Sequence, residues 1–263
     1  MPERHNAPSR PFAGAREAAA HAARRAASAV ARLVYPDLCL GCDRRVPERP
    51  EPAPAQAGGD ALAGLPLCPT CLAGLPPAPP VTSGAIADAL ASHALVRAVA
   101  LWAYDGSGTV RRVQHALKYG GQERLGRPLG HLIGMAWRRA GADTDEPGPD
   151  LVVPVPLGSV RLLERGYNQA AALAEGTAEA LGAGFRTDRL VRTRSTRSQT
   201  SLTADQRRAN VDGAFAVHAG AAVAGLHVLL VDDVLTTGAT LVAAARPLAD
   251  AGARVSVAAM AAV

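Results

Sequence analysis

The segment that most constrains this 263-residue chain spans residues 226–240 and reads Leu-His-Val-Leu-Leu-Val-Asp-Asp-Val-Leu-Thr-Thr-Gly-Ala-Thr. Residues 226–231 are apolar except for one histidine, which is typical of a buried central strand in a parallel sheet. Two carboxylates, Asp232 and Asp233, follow directly, and a hydroxyl-rich loop then leads into a helix predicted over residues 240–251. This order predicts an α/β sheet whose ligands lie beyond the carboxyl ends of its strands.

The loop after the two carboxylates has the composition of an anion-binding cradle. The residues predicted to surround the anion are Thr236, Thr237, Gly238, Ala239 and Thr240. The glycine lets the backbone approach a phosphate, and the N–H groups of the loop and of the helix N-terminus point toward it. The two aspartates suit the hydroxyls of a ribose diol, with a divalent metal to offset their charge. The alternative is an ordinary strand end followed by a threonine helix cap.

The rest of the chain favours the same fold class. With 48% hydrophobic but only 3% aromatic residues, Ala, Val and Leu must fill the core, which suits helices over a parallel sheet. Strands are predicted over residues 96–104, 151–155, 190–193, 214–217, 226–231 and 254–260. Helices are predicted over residues 109–119, 125–140, 169–181 and 240–251. This alternation predicts βαβ units.

Four cysteines form two Cys-x-x-Cys knuckles, Cys39-Leu-Gly-Cys42 and Cys68-Pro-Thr-Cys71. Four thiolates in this pattern fit a tetrahedral Zn²⁺ site, and the predicted metal ligands are Cys39, Cys42, Cys68 and Cys71. The segment has little core of its own, so metal binding would supply folding free energy and the zinc is expected to be structural. Two disulfides, or a thioredoxin-like redox pair, are the alternatives.

Two further segments are rich in arginine. Arg161-Leu-Leu-Glu-Arg-Gly-Tyr-Asn-Gln169 follows a predicted strand and precedes a helix, so Arg161 and Arg165 are candidates for holding a pyrophosphate. Residues 186–208 carry seven arginines against two aspartates, a net charge of +5, and are predicted to form a lid over an anionic ligand. The alternatives are a solvated helix start for the first segment and a solvated loop for the second.

Composition divides the chain into three parts. Residues 1–32 are predicted to be disordered or a basic Ala/Arg-rich helix, residues 33–80 to form the four-cysteine zinc-binding module, and residues 81–263 to form the α/β domain. The long uncharged runs are broken by proline, glycine or histidine, so no membrane insertion is expected. The N-terminus lacks the compact apolar region of a secretory signal, so a cytoplasmic location is expected. The net charge of +5 is compatible with anionic ligands without establishing nucleic-acid binding.

Taken in order, the motifs resemble those of the ComF family over about residues 33–263. They are the two cysteine knuckles, Leu117-Lys-Tyr-Gly-Gly121, Val153-Pro-Val-Pro156, Arg165-Gly-Tyr-Asn-Gln169, Gln199-Thr-Ser-Leu202 with Arg207-Arg-Ala-Asn210, and the loop at 232–240. The segment 228–240 itself resembles the phosphoribosyl-pyrophosphate motif of type I phosphoribosyltransferases. The resemblance implies a type I phosphoribosyltransferase-like parallel sheet flanked by helices, with a small N-terminal zinc module of four cysteines.

The resemblance also implies where a ligand would lie. It places Asp232 and Asp233 on the ribose 2- and 3-hydroxyls, and residues 236–240 around the 5-phosphate of phosphoribosyl pyrophosphate. On this interpretation the protein is a Mg²⁺-dependent phosphoribosyltransferase with an unnamed acceptor, and its catalytic residues are Asp232, Asp233 and Arg165. Arg161 and Arg165, with Arg197 or Arg207, would stabilise the charge of the departing pyrophosphate.

The competing interpretation is a binding protein that uses the same fold without catalysis. Several ComF relatives are tied to natural competence, so imported single-stranded DNA and the competence helicase machinery are the candidate partners. Aromatic side chains that could stack on bases are sparse, which argues against a dedicated single-strand binder. No hood or base-recognition segment is identified in the sequence.

Overall fold

The computed structural model describes residues 38–46, 62, 64–81, 84–92, 94–106, 108–119, 123–144, 146–194 and 209–263. Its strands are β1 (Ala98–Ala103), β2 (Leu151–Pro154), β3 (Gly184–Phe185), β4 (Leu190–Arg192), β5 (Phe215–Val217), β6 (His227–Leu235) and β7 (Arg254–Ala262). Its helices are α1 (Pro69–Ala73), α2 (Gly84–Ala91), α3 (Thr109–Tyr119), α4 (Gly126–Ala140), α5 (Ser159–Arg165), α6 (Gln169–Leu181) and α7 (Ala239–Asp250). A 3-10 turn, Glu123–Leu125, precedes α4.

Five strands form one parallel sheet in the order β1-β7-β6-β2-β3. Helices α3, α4 and α6 cover one face around a first hydrophobic cluster, and α2 and α7 cover the other face around a second. The aliphatic composition explains this arrangement, because Ala, Val and Leu fill both layers. The predicted fold class, a parallel sheet flanked by helices, is confirmed.

Strand β6 is longer than the sequence predicted. Its pairing with β2 ends at Val231, opposite Pro154, whereas its pairing with β7 continues to Leu235, opposite Ala262. The predicted end at residue 231 was therefore wrong, because the two acids interrupt the apolar run without ending the strand. Beyond that point β6 has a neighbour on one side only, and Asp232 and Asp233 lie beside the opening that β2 leaves.

The cysteine segment packs against the sheet domain. Cys39, Leu65 and Leu67 are buried in the same hydrophobic cluster as α3 and α4. The proline-rich stretch at residues 75–80 lies along β1: the Ala78 N–H donates to the Leu101 carbonyl, and a bridge joins Pro77 to Trp102. Over the described residues, therefore, the cysteine segment and the α/β domain share one core.

Strands β4 and β5 form a separate antiparallel ribbon. Strand β4 lies within the segment predicted as a lid, residues 186–208, and β5 follows that segment. Residues 195–208 between them, and residues 1–37, lie outside the described residues, as do the predictions made for them. The ribbon reaches the sheet through Arg192, which donates to the Pro156 carbonyl at 3.4 Å and lies over the Phe215 ring at 5.1 Å. Among the helices in the described ranges, none has the length and apolar character needed to cross a membrane.

Candidate functional site

A cleft of about 380 Å³ opens beyond the carboxyl ends of β2 and β6. Of the residues predicted to bind a ligand, the structure brings six to its walls: Arg161, Arg165, Asp232, Asp233, Thr236 and Thr240. Three others do not line it. The Thr237 carbonyl accepts a hydrogen bond from the Ala85 N–H at 3.2 Å, Gly238 packs against Ile86, and Ala239 lines a smaller groove beside α2.

Asp233 is the most enclosed acid of the cleft, with 6% of its surface exposed. Three side chains donate to it. Lys118 Nζ lies 2.5 Å from Oδ2, Gln114 Nε2 lies 3.0 Å from the same oxygen, and Gln169 Nε2 lies 3.4 Å from Oδ1. Because α3 and α6 supply these donors, they fix the orientation of Asp233 before any ligand binds.

Asp232 and Asp233 differ in charge state although they are neighbours. Burial and the negative charge of Asp233 raise the pKa of Asp232 to about 8. Burial acts in the same sense on Asp233, but the charge and hydrogen bond of Lys118, with the hydrogen bond of Gln114, outweigh it and lower the pKa of Asp233 to about 2. At neutral pH Asp233 is therefore ionised and Asp232 largely keeps its proton, as expected when like charges share a site.

Two glutamines extend the hydrogen-bond network outward from Asp233. The Tyr104 hydroxyl donates to Gln114 Oε1 at 3.2 Å, and Arg165 Nη1 donates to Gln169 Oε1 at 2.8 Å. Each glutamine accepts from the cleft wall with its oxygen and donates to Asp233 with its nitrogen. The carboxylate is thus connected on one side to a phenol and on the other to a guanidinium.

The two arginines predicted to hold a pyrophosphate lie on the short helix α5, whose C-cap Gly166 adopts the left-handed conformation. Arg161 and Arg165 are four residues apart and so lie on one side of it. The Arg165 guanidinium lies over the Tyr119 ring at 5.2 Å. Its Nε is buried and has no hydrogen-bond partner among the described residues. A buried cationic donor in this state is suited to an anion entering the cleft.

Tyr167 and Asn168, which follow α5 in the motif Arg165-Gly-Tyr-Asn-Gln169, position the neighbouring helices. Asn168 caps α6: its Oδ1 accepts from the Ala170 N–H at 3.1 Å, and its Nδ2 donates to the Val155 carbonyl at 3.1 Å. The Tyr167 hydroxyl donates to the Leu117 carbonyl on α3. The motif therefore joins α3, α6 and the loop after β2 around the cleft.

The loop after β6 depends on Gly238, which is the N-cap of α7 and has φ 76°. A Cβ atom here would lie 2.4 Å from Ile86 Cγ1, so both the backbone conformation and the space exclude a side chain. The turn directs the N-terminus of the 12-residue helix α7 toward the cleft, where Thr236 and Thr240 contribute hydroxyls. The N–H groups and the dipole at a helix start favour an anion there.

Sequence reasoning missed three residues of the cleft: Tyr104, Gln114 and Lys118. One signal was available, because Lys118 is the only lysine in the chain and stands inside the motif Leu117-Lys-Tyr-Gly-Gly121. The signal for Gln114 was weaker. Its role arises only because α3 packs its inner side against the end of β6.

The second cluster is formed by the four cysteines, whose Sγ atoms all lie within 4.8 Å of one another. They are free thiols, so the disulfide alternative is not what the structure shows. Cys39 Sγ accepts from the Gly41 N–H at 3.3 Å and the Cys68 N–H at 3.2 Å. Burial opposes ionisation of Cys39, but these backbone hydrogen bonds outweigh it and lower its pKa to about 6. The neighbouring cysteines act in the opposite sense on Cys71 and raise its pKa to about 12. Four sulfur atoms in such a cluster are a donor set that fits a metal ion.

Solved structures resemble the chain only in part. An adenine phosphoribosyltransferase shares 19% identity, with a TM-score of 0.35 over 53% of this chain and 71% of its own. The allosteric regulatory enzyme of purine biosynthesis shares 24% identity, with a TM-score of 0.33 over 51% of this chain and 26% of its own. At these scores neither match carries an argument about function.

Sequence comparisons are more specific. Residues 130–263 match the family model of the phosphoribosyl transferase domain. The DNA utilization protein YhgH of Salmonella typhi is 36% identical over 53% of this chain and 60% of its own length. Competence protein F of Haemophilus influenzae is 34% identical over 47% of this chain and 55% of its own length. The chain spans just over half the length of these curated relatives. It belongs to the phosphoribosyl transferase domain family and, with those relatives, to the ComF family.

Proposed function

We propose that the protein binds phosphoribosyl pyrophosphate together with Mg²⁺ in the cleft between β2 and β6, and transfers the phosphoribosyl group to an acceptor. The observation that carries this proposal is the convergence in one cleft of an acid pair, a threonine loop at a helix N-terminus and two arginines. Each group has a chemical counterpart in the ligand: a diol, a terminal phosphate and a pyrophosphate.

Each group is assigned to one part of the ligand. The 5-phosphate lies against Thr236, Thr240 and the start of α7, where N–H groups and hydroxyls donate to it. The ribose hydroxyls lie on the Asp232 side of the acid pair, since Asp233 is already engaged by Lys118. The pyrophosphate faces Arg161 and Arg165. Carboxylate and phosphate oxygens are ligands that suit Mg²⁺, which would neutralise charge there.

In this reaction the protein has two tasks: it positions the ligand and stabilises the charge of the leaving group. The bond between the anomeric carbon and the pyrophosphate oxygen breaks, pyrophosphate leaves with the electron pair, and a lone pair on the acceptor forms the new bond. The guanidinium groups of Arg161 and Arg165 stabilise the leaving charge. The loop and the acid pair hold the ribose in line with the acceptor, which lowers the entropic part of the barrier.

The test has two stages. Calorimetry should detect binding of phosphoribosyl pyrophosphate in the presence of Mg²⁺, and Asp232→Asn combined with Asp233→Asn should abolish it; unchanged binding would show that the site is assigned wrongly. A panel of nucleobases and other amines should then reveal an acceptor that supports pyrophosphate release. If the ligand binds and no acceptor supports release, the protein is a binder and the transferase proposal fails.

We also propose that Cys39, Cys42, Cys68 and Cys71 hold a structural Zn²⁺. The support is the compact set of four sulfur atoms and the backbone donors that favour the thiolate form. Metal analysis of the purified chain should give about one zinc per molecule. Cys68→Ser should lower that content and the thermal stability together, and a metal-free protein with two disulfides would contradict the proposal.

A second candidate function is the handling of single-stranded DNA in the cytoplasm. Its support is the names of the relatives, DNA utilization protein and Competence protein F, and the arginines in and next to β4, which are Arg186, Arg189, Arg192 and Arg194. Gel retardation of single-stranded DNA should weaken with salt if arginines bind phosphates. Retardation that does not change when Arg186, Arg189 and Arg194 are neutralised would refute this role.

A further inference from the structure

An arginine joins the cysteine cluster to the helix that holds Asp233. Arg112, on α3, donates from Nη2 to the Gly41 carbonyl at 2.7 Å, and its Nη1 lies 3.5 Å from Asp43 Oδ2. Gly41 and Asp43 flank Cys42 in the first knuckle. The side chain of Arg112 therefore contacts the backbone turn on which two of the four thiols are mounted.

The ion pair of Arg112 with Asp43 is expected to contribute less than its hydrogen bond to Gly41. The side chains of Arg112 and Asp43 are 45% and 76% exposed, so their ion pair is screened by solvent. The hydrogen bond to Gly41 is the shorter contact, and its acceptor belongs to a constrained turn. The Gly41 N–H donates to Cys39 Sγ, and a Cβ atom on Gly41 would lie 2.6 Å from Cys71 Sγ. The turn that Arg112 contacts is thus shaped by the sulfur cluster.

The opposite side of α3 contacts the acid pair. On a helix with 3.6 residues per turn, Gln114 and Lys118 lie about 200° and about 240° around the axis from Arg112. These two side chains hold Asp233. Helix α3 therefore contacts the first cysteine knuckle on one side and the Asp233 carboxylate on the other. A displacement of α3 would change the environment of Asp233.

We propose that Arg112 is a positioning residue that couples metal occupancy of the cysteine cluster to ligand affinity in the cleft. The bound metal fixes the turn at Gly41, the Gly41 carbonyl fixes Arg112, and α3 then presents Lys118 to Asp233. This inference rests on the proposed function, since its ligand is phosphoribosyl pyrophosphate. By linkage the coupling is reciprocal: ligand binding strengthens metal retention by the same factor by which metal strengthens ligand binding.

A simpler arrangement would place α3 by apolar packing alone. Val113 and Leu117 are fully buried in the cluster that also contains Cys39. If this packing sufficed, the metal would act only on overall stability, and Arg112 would be dispensable for any effect of the metal on the cleft. The two arrangements differ in what happens when Arg112 loses its charge while α3 remains packed.

The experiment compares Arg112→Gln with the matched control Arg111→Gln in the full chain. Arg111 is the preceding residue of α3 and is exposed. Zinc retention is measured against a colorimetric chelator, with and without phosphoribosyl pyrophosphate and Mg²⁺. At equilibrium with the chelator, we expect the ligand to strengthen zinc affinity about tenfold in the wild type and in Arg111→Gln, a typical size for coupled sites. In Arg112→Gln we expect less than about a threefold effect.

A spectroscopic readout separates positioning from general stability. With Co²⁺ in place of Zn²⁺, the thiolate-to-metal absorption bands should shift on addition of the ligand in the wild type and in Arg111→Gln, and should not shift in Arg112→Gln. A full ligand effect on zinc affinity and on the bands in Arg112→Gln would overturn the inference. So would a wild type that binds the ligand with no effect on either readout. If calorimetry finds no binding to the zinc-loaded wild type, the proposed function itself fails.

Discussion

Replacing Lys118 by methionine should remove the positive charge that faces Asp233 while keeping most of the side-chain volume. In the wild type the two charged groups are 2.5 Å apart, with side chains 20% and 9% exposed. After the replacement, an enclosed carboxylate lies beside Asp232 with only two amide donors, Gln114 and Gln169. We expect the variant to fold with a reduced free energy of unfolding.

The magnitude follows from the pKa of Asp233. The fall from 3.8 to about 2, which is net of the opposing effect of burial, corresponds at about 1.4 kcal/mol per pKa unit to about 2 kcal/mol. Breaking a fully buried ion pair costs about 3–5 kcal/mol, but Lys118 is partly exposed and the two amides remain. We therefore expect Lys118→Met to lose about 2 kcal/mol at pH 7, and Lys118→Arg to lose less because it keeps the charge.

The pH dependence has a defined sign. The pKa of Asp233 is depressed in the folded state, so its stabilisation is present above 3.8 and is lost as the pH falls through about 2. The difference between wild type and Lys118→Met should therefore be largest at neutral pH and shrink on acidification, because burial without Lys118 makes Asp233 lose its charge at a higher pH in the variant. Acid also releases thiolate-bound metal, so the two proteins must be compared at each pH.

The assay is urea unfolding followed by circular dichroism, arranged as a double-mutant cycle with Asp233→Asn. In the Asp233→Asn background, Lys118→Met should cost little, and the coupling energy should be about 2 kcal/mol. The reasoning is refuted if Lys118→Met is as stable as the wild type at pH 7, or if its cost is the same with and without the carboxylate.

Two further predictions concern the loop and the second acid. Gly238→Ala should lower the free energy of unfolding by about 1–3 kcal/mol and weaken ligand binding, because a Cβ atom would meet Ile86 at φ 76°; unchanged thermal unfolding would contradict this. The raised pKa of Asp232 means that its stabilising effect is full below 3.8 and is lost as the pH rises through about 8. Asp232→Asn should therefore unfold at a higher temperature than the wild type at pH 9, with little difference at pH 4; equal midpoints at pH 9 would contradict this.

The sequence predicted helices whose ends carry local signals. The bounds of α3 and α6 match the predicted residues 109–119 and 169–181. For α6, the cap Asn168 and the left-handed Gly182 mark both ends by local chemistry. Strand ends that depend on pairing with a strand distant in sequence were harder to predict. The extension of β6 to Leu235 is stabilised by β7 alone, which a search for apolar runs does not detect.

The candidate site was predictable only where its residues lie in local sequence motifs. The acids, the loop and Arg165 lie in contiguous motifs, so their approach to one cleft followed from the strand–loop–helix order. The partners of Asp233 did not follow from it, since Gln114 is 119 residues away in sequence. The contact between Arg112 and Gly41 spans 71 residues and carries no local signature. Both contacts depend on how α3 docks, which only the tertiary structure specifies.

The single lysine of this chain has a practical consequence. Isotope-labelled lysine would give one side-chain ammonium resonance in an NMR spectrum, and that resonance would come from Lys118, the partner of Asp233. Its chemical shift would follow the charge of the acid pair directly, with no assignment problem and no chemical modification of the protein. Because almost every basic residue of the chain is an arginine, the one lysine, Lys118, can report on the charge state of the cleft that it lines.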